Sequence, residues 1–286
     1  MRVAVVGAGI MGSAAAWALA ARGAEVVLHE QFELDHARGS SHGRSRIVRR
    51  SYPDPYWVRL AEEARAGWAD LEAETGRTLL ELYGLVELAS SPERTSSAAL
   101  AAHGIEHRLL TRDEARAFGV AVPDGWAALY EPGGGIVRAD LARAALLDAA
   151  VARGVQVEER SRIESTDELD ADAVVVTAGA WAPRLVPDLP VHVTRETIAY
   201  FRREGPPAPS VVELGEGAHG HAMYALHDPV HGLKAGTHHA GAEVDPDTAG
   251  EPDPELAARA AAWVRERLPD VDPEPAGAET CLYTTT

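Results

Sequence analysis

Residues 3–30 read VAVVGAGIMGSAAAWALAARGAEVVLHE and predict the start of a nucleotide-binding fold. Val3–Val6 is short, apolar and rich in β-branched residues, as expected of a buried strand. Ile10–Arg22 has the alanine content of a helix, and Gly23 follows it as a stop signal. Glu25–Glu30 is a second strand-like segment. A strand–helix–strand unit of this kind begins a parallel sheet.

Three glycines, Gly7, Gly9 and Gly12, lie in the turn between the first strand and the helix. The first permits a tight turn, the second lets the backbone approach a pyrophosphate, and the third lets helix and strand pack closely. The helix N-terminus attracts phosphate charge. Glu30, at the end of the next strand, is placed to accept hydrogen bonds from a ribose. The pattern predicts dinucleotide binding, but it does not distinguish FAD from NAD.

Composition excludes several classes of protein. The 286 residues include 44 acidic and 27 basic side chains, a net charge of −17, so we expect no nucleic acid and no anionic membrane surface as partner. The single cysteine, Cys281, excludes an internal disulfide and a cysteine-based metal cluster. Met1–Ala21 has some features of a signal peptide, but it contains the three glycines at nucleotide-loop spacing. We therefore predict a soluble cytoplasmic protein.

Local signals place further helices and strands along the chain. Asp54–Pro55 begins a helix that ends at Gly76, and its apolar positions, Trp57, Leu60 and Trp68 among them, are predicted to pack into the core. Other predicted helices are a short one capped by Thr111–Glu114, then Asp140–Arg153 and Pro254–Leu268. Predicted strands are Tyr83–Leu88, Val155–Val157, Val174–Val176, Val191–Phe201 and Tyr224–Gly236.

The strands of two predicted sheets alternate along the chain, so we predict a second domain inserted into the first. The fold class is α/β, with an α+β substrate domain built on an antiparallel sheet. The nucleotide-binding domain is predicted to comprise residues 1–82, 131–185 and 276–286, and the substrate domain residues 83–130 and 186–275.

An arginine-rich segment follows the second strand. Gly39–Tyr52 reads GSSHGRSRIVRRSY and contains four arginines, at positions 44, 46, 49 and 50. A loop at this place in a nucleotide fold faces the ligand crevice. Arginine there can hold a substrate carboxylate through two parallel hydrogen bonds. The alternative is a solvated basic patch, and the residues alone favour neither.

Gly39–Tyr52 resembles the segment G-S-x-H-G-x-x-R-I-x-R-x-x-Y of the monomeric sarcosine oxidase and N-methyltryptophan oxidase flavoproteins. The resemblance continues in order over the rest of the chain, at Glu131–Ile136, Thr177–Trp181, Gly232–His238 and Ala278–Thr284. It implies an FAD-binding Rossmann-type domain with a discontinuous antiparallel substrate domain. The implied activity is oxidation of a small secondary (N-methyl) amino acid by FAD, with O2 as acceptor, giving imine and hydrogen peroxide. We expect a monomer.

The same resemblance assigns roles to individual residues. At the cofactor, Cys281 is implied to bond covalently to the flavin, while His42, Arg46 and Gly179 lie beside it. For the reaction, Arg49 is implied to bind the substrate carboxylate, and Lys234 to lie at the flavin face where oxygen reacts. The residues implied to line the substrate cavity are Tyr224, whose match needs a one-residue gap, His238 and Tyr283.

Composition bears on two of these roles. Lys234 is the one lysine of a chain that otherwise uses arginine, and a lysine ammonium can be tuned by burial, whereas arginine cannot. The alternative for Lys234 is a lysine that is retained by chance on a surface strand. The alternative for Cys281 is a cysteine that serves only as a small buried apolar residue. Six of the twelve histidines lie between His219 and His239, but no carboxylates accompany them at regular spacing, so we predict no metal site.

The chain stops soon after the Cys281 segment, where the resembling family continues with a further strand, a glycine-rich loop and another lysine. We therefore expect a fragment or a truncated product, with an unpaired strand edge. Two other functions stay open. A non-catalytic flavin-binding remnant accounts for the early stop, and a nicotinamide-dependent dehydrogenase accounts for the glycine turn but leaves Cys281 and the arginine-rich segment without a role.

Overall fold

A computed structural model of the chain describes residues 1–215 and 221–286. Within these ranges the strands form a four-stranded, a nine-stranded and a three-stranded sheet, with helices packed between and against them. The predicted α/β fold class is confirmed.

The strands, in chain order, are β1 (Arg2–Val6), β2 (Glu25–His29), β3 (Ser45–Val48), β4 (Leu80–Glu81), β5 (Leu85–Ala89), β6 (Arg108–Leu110), β7 (Ala127–Glu131), β8 (Gly135–Arg138), β9 (Gln156–Glu158), β10 (Ala173–Val176), β11 (His192–Arg202), β12 (Ser210–Glu213), β13 (Met223–Asp228), β14 (Gly232–Thr237), β15 (Ala242–Glu243) and β16 (Pro275–Thr285). The helices are α1 (Ile10–Ala21), α2 (Pro55–Thr75), α3 (Ser97–Ala102), α4 (Arg112–Ala117), α5 (Ala139–Ala152), α6 (Ala182–Leu185) and α7 (Pro254–Arg267).

The four-stranded sheet is parallel and has the order β10-β1-β2-β9. Its strands are apolar because helices cover them: Val3, Val5 and Leu28 pack with Ala16 of α1 and Ala150 of α5. The carboxyl ends of β1, β2 and β10 meet at one edge, which places the glycine turn beside Glu30. This is the edge at which parallel sheets bind ligands.

The nine-stranded sheet runs β15-β11-β14-β13-β12-β5-β7-β6, and β16 pairs with β11. Ile198 of β11 pairs with Gly236 of β14 and also with Glu279 of β16, so β11 lies between these two strands. Alternation along the strands gives the sheet two different faces. The apolar face packs on α7; its buried residues include Phe201, Ala225, Leu233, Ala235, Trp263 and Val264.

The opposite face of this sheet carries polar side chains, among them Lys234, Tyr224 and Cys281, which follow the same alternation. The three-stranded sheet, β3-β8-β4, brings the arginine-rich segment Gly39–Tyr52 toward this face. The hydrogen bond from Ser45 Oγ to the carbonyl of His227, 2.8 Å, joins the two sheets. The nine-stranded sheet is antiparallel except for the parallel pair of β12 with β5, and its antiparallel pairs position the polar residues that the sequence singled out.

Two local predictions are wrong. Trp57 and Leu60 of α2 are 50% and 40% exposed, whereas Val58 and Leu71 are buried. The reason is that α2 passes from one core cluster, which Val58 joins, to another, which Leu71 joins, so the buried side of the helix changes along its length. Tyr224–Gly236 is a hairpin of β13 and β14 rather than one strand, because Gly232 with φ +94° ends a turn inside it.

The division into two domains stays a prediction. Residues 276–286, which it assigns to the nucleotide-binding domain, are hydrogen bonded along β11 of the nine-stranded sheet and not to the parallel sheet. Glu131, which the prediction also assigns to the nucleotide-binding domain, is the last residue of β7 in the nine-stranded sheet.

Candidate functional site

The glycine turn has the backbone that the sequence predicts. Gly7 has φ +104°, and its amide donates to the carbonyl of His29 at 2.8 Å. A Cβ at Gly12 would lie 1.8 Å from the Gly7 carbonyl oxygen, and one at Gly7 would lie 2.6 Å from that of Thr177. Any side chain at these two positions therefore displaces backbone.

A cavity of about 250 Å³ adjoins this turn, at the carboxyl edge of the parallel sheet. It is called here the nucleotide cavity. Of the predicted cofactor residues, Gly7, Gly9, Glu30, His42 and Gly179 line it. Gly12 does not line the cavity; it lies behind the turn, where its lack of a side chain lets α1 approach.

Glu30 is buried at the rim of the nucleotide cavity and accepts two backbone hydrogen bonds. Its Oε2 accepts from the amide of Ala8 at 2.9 Å, and its Oε1 from that of Phe32 at 3.0 Å. Burial raises the pKa of Glu30, but hydrogen bonds from His36 and these amides outweigh it, and the pKa is lowered. Glu30 is therefore an anionic acceptor, as ribose hydroxyls require.

A second cavity, of about 280 Å³, lies between the arginine-rich segment and the polar face of the nine-stranded sheet. It is called here the substrate cavity. It brings together all the remaining predicted site residues: Arg46, Arg49, Tyr224, Lys234, His238, Cys281 and Tyr283. Its apolar wall includes Ile47, Ile198, Val212 and Leu226.

Hydrogen bonds to backbone carbonyls hold Arg46 in the arginine-rich segment. Its Nη2 donates to the carbonyls of Ser40 and His42, each at 2.7 Å, and its Nη1 to that of Ser45 at 2.8 Å. Burial lowers the pKa of His42, and the neighbouring Arg46 charge lowers it further. Arg46 therefore fixes the loop that separates the two cavities.

Arg49 and Arg50 point to opposite sides. Arg50 forms a buried ion pair with Glu131, Nε to Oε1 2.8 Å, and Glu131 also accepts from the amides of Arg50 and Ser51. Arg49 lines the substrate cavity, and its guanidinium carbon lies 4.4 Å from the centre of the Tyr52 ring. Arg49 Nη1 is buried and has no hydrogen-bond partner among the described residues. A buried donor without a partner is costly, and a carboxylate is the kind of acceptor that would satisfy a guanidinium.

Lys234 is 2% exposed and donates from Nζ to the carbonyl of Ser45 at 2.6 Å. Burial lowers the pKa of Lys234 to about 7, with Arg46 contributing in the same direction. The ammonium therefore gains and loses its proton near neutral pH.

Two tyrosines and a histidine, Tyr224, Tyr283 and His238, also line the substrate cavity. The phenols of Tyr224 and Tyr283 hydrogen-bond each other, and the absence of a side chain at Gly236 makes room for Tyr224. Burial raises the pKa of both phenols, to about 12 for Tyr283. Burial and His239 lower the pKa of His238 to about 4, so its ring is neutral at pH 7.

Cys281 is buried on β16, directly opposite Glu196 of β11. Burial raises the pKa of its thiol, while Arg46 and Lys234 act in the opposite direction. Both cations and the thiol lie in the substrate cavity.

Sequence reasoning gave no role to three residues of this region. Tyr52 packs under Arg49, Glu131 holds Arg50, and Ser41 Oγ accepts the Ile10 amide of α1 at 3.0 Å. Tyr52 and Ser41 lie inside the arginine-rich segment, and this position was the sequence signal that could have identified them as site residues.

The histidine-rich stretch forms no metal site in the part of the chain that the structure describes, where no group of three or more His, Cys, Asp or Glu side chains could hold an ion. His219 lies outside the described residues. Within the same ranges, no helix has the length and hydropathy to cross a bilayer.

The cavity at the glycine turn, with Glu30 at its rim, has the form of a dinucleotide site, and a second cavity is lined by Arg46, Arg49 and Lys234. The family described as DAO, FAD dependent oxidoreductase, matches residues 2–285. The chain belongs to this family, and FAD is its cofactor. The glycine turn and the Glu30 carboxylate fit the ribose and pyrophosphate of that cofactor.

Relatives cover nearly the whole chain. Peroxisomal sarcosine oxidase from Homo sapiens is 31% identical over 316 residues, 99% of this chain and 80% of the relative. Monomeric sarcosine oxidase from Streptomyces avermitilis is 32% identical over 314 residues, 99% of this chain and 82% of the relative. N-methyl-L-tryptophan oxidase from Yersinia pestis is 28% identical over 83% of this chain and 70% of its own length. The resemblance found in the motifs is confirmed, and the chain is an oxidoreductase of amino acid oxidase type.

Solved structures show the same fold. NikD, an amino acid oxidase of nikkomycin biosynthesis, superposes with a TM-score of 0.82 at 24% identity, over 99% of this chain and 81% of its own. L-proline dehydrogenase from P. horikoshii superposes with a TM-score of 0.84 at 19% identity, over 100% of this chain and 82% of its own.

Proposed function

We propose that this chain oxidises the C–N bond of a small secondary (N-methyl) amino acid with O2 as acceptor, giving an imine and hydrogen peroxide. The observation that carries the proposal is Arg49, whose buried Nη1 has no partner among the described residues and whose side chain lines a cavity with Lys234 and Cys281. The names of the relatives, sarcosine oxidase and N-methyl-L-tryptophan oxidase, support the substrate class.

When bound, FAD supplies the acceptor of two electrons from the amine. The glycine turn, Glu30, His42 and Gly179 line the cavity that would hold it. Cys281 is the residue that we propose as its covalent attachment point, because it is the one thiol of the chain and lies in the substrate cavity.

Arg49 binds the substrate carboxylate through two parallel hydrogen bonds, and the Tyr52 ring packs against its guanidinium. Binding the carboxylate fixes the amine against one wall of the cavity. Holding the amine in a fixed orientation lowers the activation barrier of its oxidation. The phenols of Tyr224 and Tyr283 supply polar contacts, while Ile47 and Ile198 exclude water.

The charge of the cavity favours the neutral amine that this oxidation requires. Arg46, Arg49 and Lys234 present positive charge, and the phenols and the His238 ring are neutral at pH 7. A positive environment lowers the pKa of a bound ammonium group, so the amine binds without its proton.

Lys234 is the residue that we propose for the oxygen step. A positive point charge in a water-poor site stabilises negative charge as it develops on oxygen. Because burial lowers its pKa to about 7, Lys234 is partly protonated at neutral pH and can also deliver a proton.

A cytoplasmic location and a monomeric state stay predictions from the sequence.

The test is peroxide release by the purified protein over a panel of N-methyl amino acids, with acid precipitation of the same preparation. We expect peroxide with at least one small N-methyl amino acid and yellow colour in the acid pellet, lost to the supernatant in Cys281→Ser. A yellow protein that releases no peroxide and whose flavin no member of the panel bleaches would contradict the proposed activity.

A further inference from the structure

A bulge interrupts the pairing along one edge of β11. Gly236 of β14 pairs with Ile198 of β11, and Ala242 of β15 pairs with Arg195 of the same strand. Five residues, 237–241, therefore stand opposite only two residues of β11. Bulges next to binding sites redirect the side chains that they carry. Residues 237–241 are called here the β14–β15 bulge.

The β14–β15 bulge carries His238, an exposed residue that lines the substrate cavity. The amide of His238 donates to the carbonyl of Ala222 at 2.8 Å, and its ring lies edge-on to that of Tyr283, with 5.4 Å between the ring centres. The ring of His239 packs beside it, with 3.9 Å between centres. Because the His238 ring is exposed, its place beside Tyr283 depends on the backbone of the bulge.

The backbone of the bulge has a conformation that depends on its surroundings. His239 has φ +56°, in the left-handed region, which is uncommon for residues other than glycine and persists where neighbouring groups hold it. Gly241 lies so close to β11 that an added Cβ would be 2.0 Å from the carbonyl oxygen of Arg195. The bulge is thus pressed against β11 at its end and strained in its middle.

A buried carboxylate, that of Glu196 on β11, binds the bulge. Glu196 is 1% exposed, and its Oε2 accepts from the amides of Ala240 and Gly241 at 3.0 and 2.9 Å. Its Oε1 accepts from the hydroxyl of Thr194 at 2.6 Å, which orients the carboxylate. Glu196 does not itself line the substrate cavity, so any effect that it has on a bound molecule passes through the residues that it holds.

We propose that Glu196 is a positioning residue, which holds His238 in the substrate cavity by binding the amides of the β14–β15 bulge. Without the carboxylate, the amides of Ala240 and Gly241 turn to water, the strained backbone at His239 relaxes, and His238 moves away from Tyr283. The consequence for substrate binding rests on the proposed function, whereas the position of the His238 ring does not.

A double-mutant cycle tests whether Glu196 acts through His238. The measured quantity is the apparent Kd of a small N-methyl amino acid, obtained from the rate of anaerobic flavin reduction. We expect Glu196→Ala to raise this Kd by about 3- to 10-fold in the parent, as for loss of one hydrogen bond, and by less than about 2-fold in His238→Ala.

Two further variants are controls for this cycle. Glu196→Gln removes the charge but keeps an oxygen that can accept from both amides, so its Kd should stay near that of the parent. Glu243→Ala removes an exposed carboxylate from β15, just beyond the bulge, and should also leave the Kd unchanged.

A second measurement needs no substrate. In protein labelled with 15N-histidine and purified with its flavin, the ring signals of His238 are those that are absent from His238→Ala. We expect these signals to shift in Glu196→Ala and to keep their parent positions in Glu196→Gln and Glu243→Ala.

The proposal is overturned if Glu196→Ala weakens binding equally in the parent and in His238→Ala, or if it leaves the His238 signals in place. A loss in Glu196→Gln as large as that in Glu196→Ala overturns it too. If Glu196→Ala does not fold, Glu196→Asp, whose carboxylate is withdrawn by one methylene, decides by the same two measurements. If no N-methyl amino acid reduces the parent flavin, the proposed function fails, and the His238 signals alone decide the role of Glu196.

Discussion

Lys234 and Arg46 donate to the same backbone carbonyl, that of Ser45, from strands that belong to different sheets. The contact joins the polar face of the nine-stranded sheet to the arginine-rich segment, and it places two positive charges side by side in the substrate cavity. Because both are buried or half-buried, the lysine yields its proton more readily than an exposed lysine does.

This arrangement predicts a pH-dependent stability. The pKa of Lys234 is lowered to about 7 in the folded chain, whereas in the unfolded chain it is near 10.4, so the unfolded state binds more protons between these values. The contribution of Lys234 to the free energy of unfolding therefore rises from about pH 7 to about pH 10, by roughly 3 to 5 kcal/mol.

Denaturant unfolding of the parent protein and of Lys234→Met over this pH range checks the prediction. The stability advantage of Lys234→Met should be largest below pH 7 and shrink as pH rises. Parallel curves for the two proteins would show that Lys234 has an ordinary pKa.

The ion pair of Arg50 with Glu131 predicts an asymmetry between two carboxylates. Glu131 is fully buried, whereas Glu62, the other partner of Arg50, is 45% exposed. Glu131→Ala should lower the free energy of unfolding by about 3 kcal/mol, because it leaves a buried guanidinium without its main partner. Glu62→Ala should change it by less than about 1 kcal/mol. Denaturant unfolding measures both changes. Equal losses of the free energy of unfolding in Glu131→Ala and Glu62→Ala would argue against Glu131 as the main partner of Arg50.

Two glycine substitutions should have opposite effects. Gly12→Ala places a Cβ 1.8 Å from the Gly7 carbonyl, so it should destabilise the chain by about 1 to 3 kcal/mol and remove bound flavin. Gly67 lies inside α2 with no atom within 4 Å of an added Cβ, so Gly67→Ala should stabilise by about 0.5 to 1 kcal/mol and keep the flavin.

The measurements are thermal unfolding and the ratio of visible flavin absorbance to protein absorbance. Full flavin content in Gly12→Ala would mean that the close approach of α1 to the turn is not needed for cofactor binding.

Features fixed by neighbouring residues were predictable from the sequence. The start of α2 at Asp54 and Pro55 and its end at Gly76, with φ +66°, follow from capping chemistry within a few residues. The capping box at Thr111 and Glu114 is confirmed for the same reason. The glycine turn also belongs here, because its backbone requirement is contained in six residues.

Features that depend on distant residues were not predictable. β16 pairs with β11, which places Cys281 opposite Glu196 although the two residues are far apart in the sequence. No local sequence pattern specifies this pairing. The buried carboxylates of Glu131 and Glu213 look like surface acids in the sequence, although Glu213 accepts from both Trp263 and Arg267. The exposure of Trp57 was missed because helical periodicity assumes one core, and α2 contacts two.

Arg49→Ala tests the central claim most directly, with Arg59→Ala, an exposed arginine of α2, as control. The rate of anaerobic flavin reduction, followed by stopped flow over a range of concentrations of a small N-methyl amino acid, gives the apparent Kd of the substrate, and the absorbance ratio measures flavin content. We predict that Arg49→Ala weakens binding by about 100-fold, as expected for loss of a charge-assisted hydrogen-bonded pair. Flavin content should stay near that of the parent and of Arg59→Ala. Equal loss of flavin and of substrate binding in Arg49→Ala, or unchanged binding, would contradict the account.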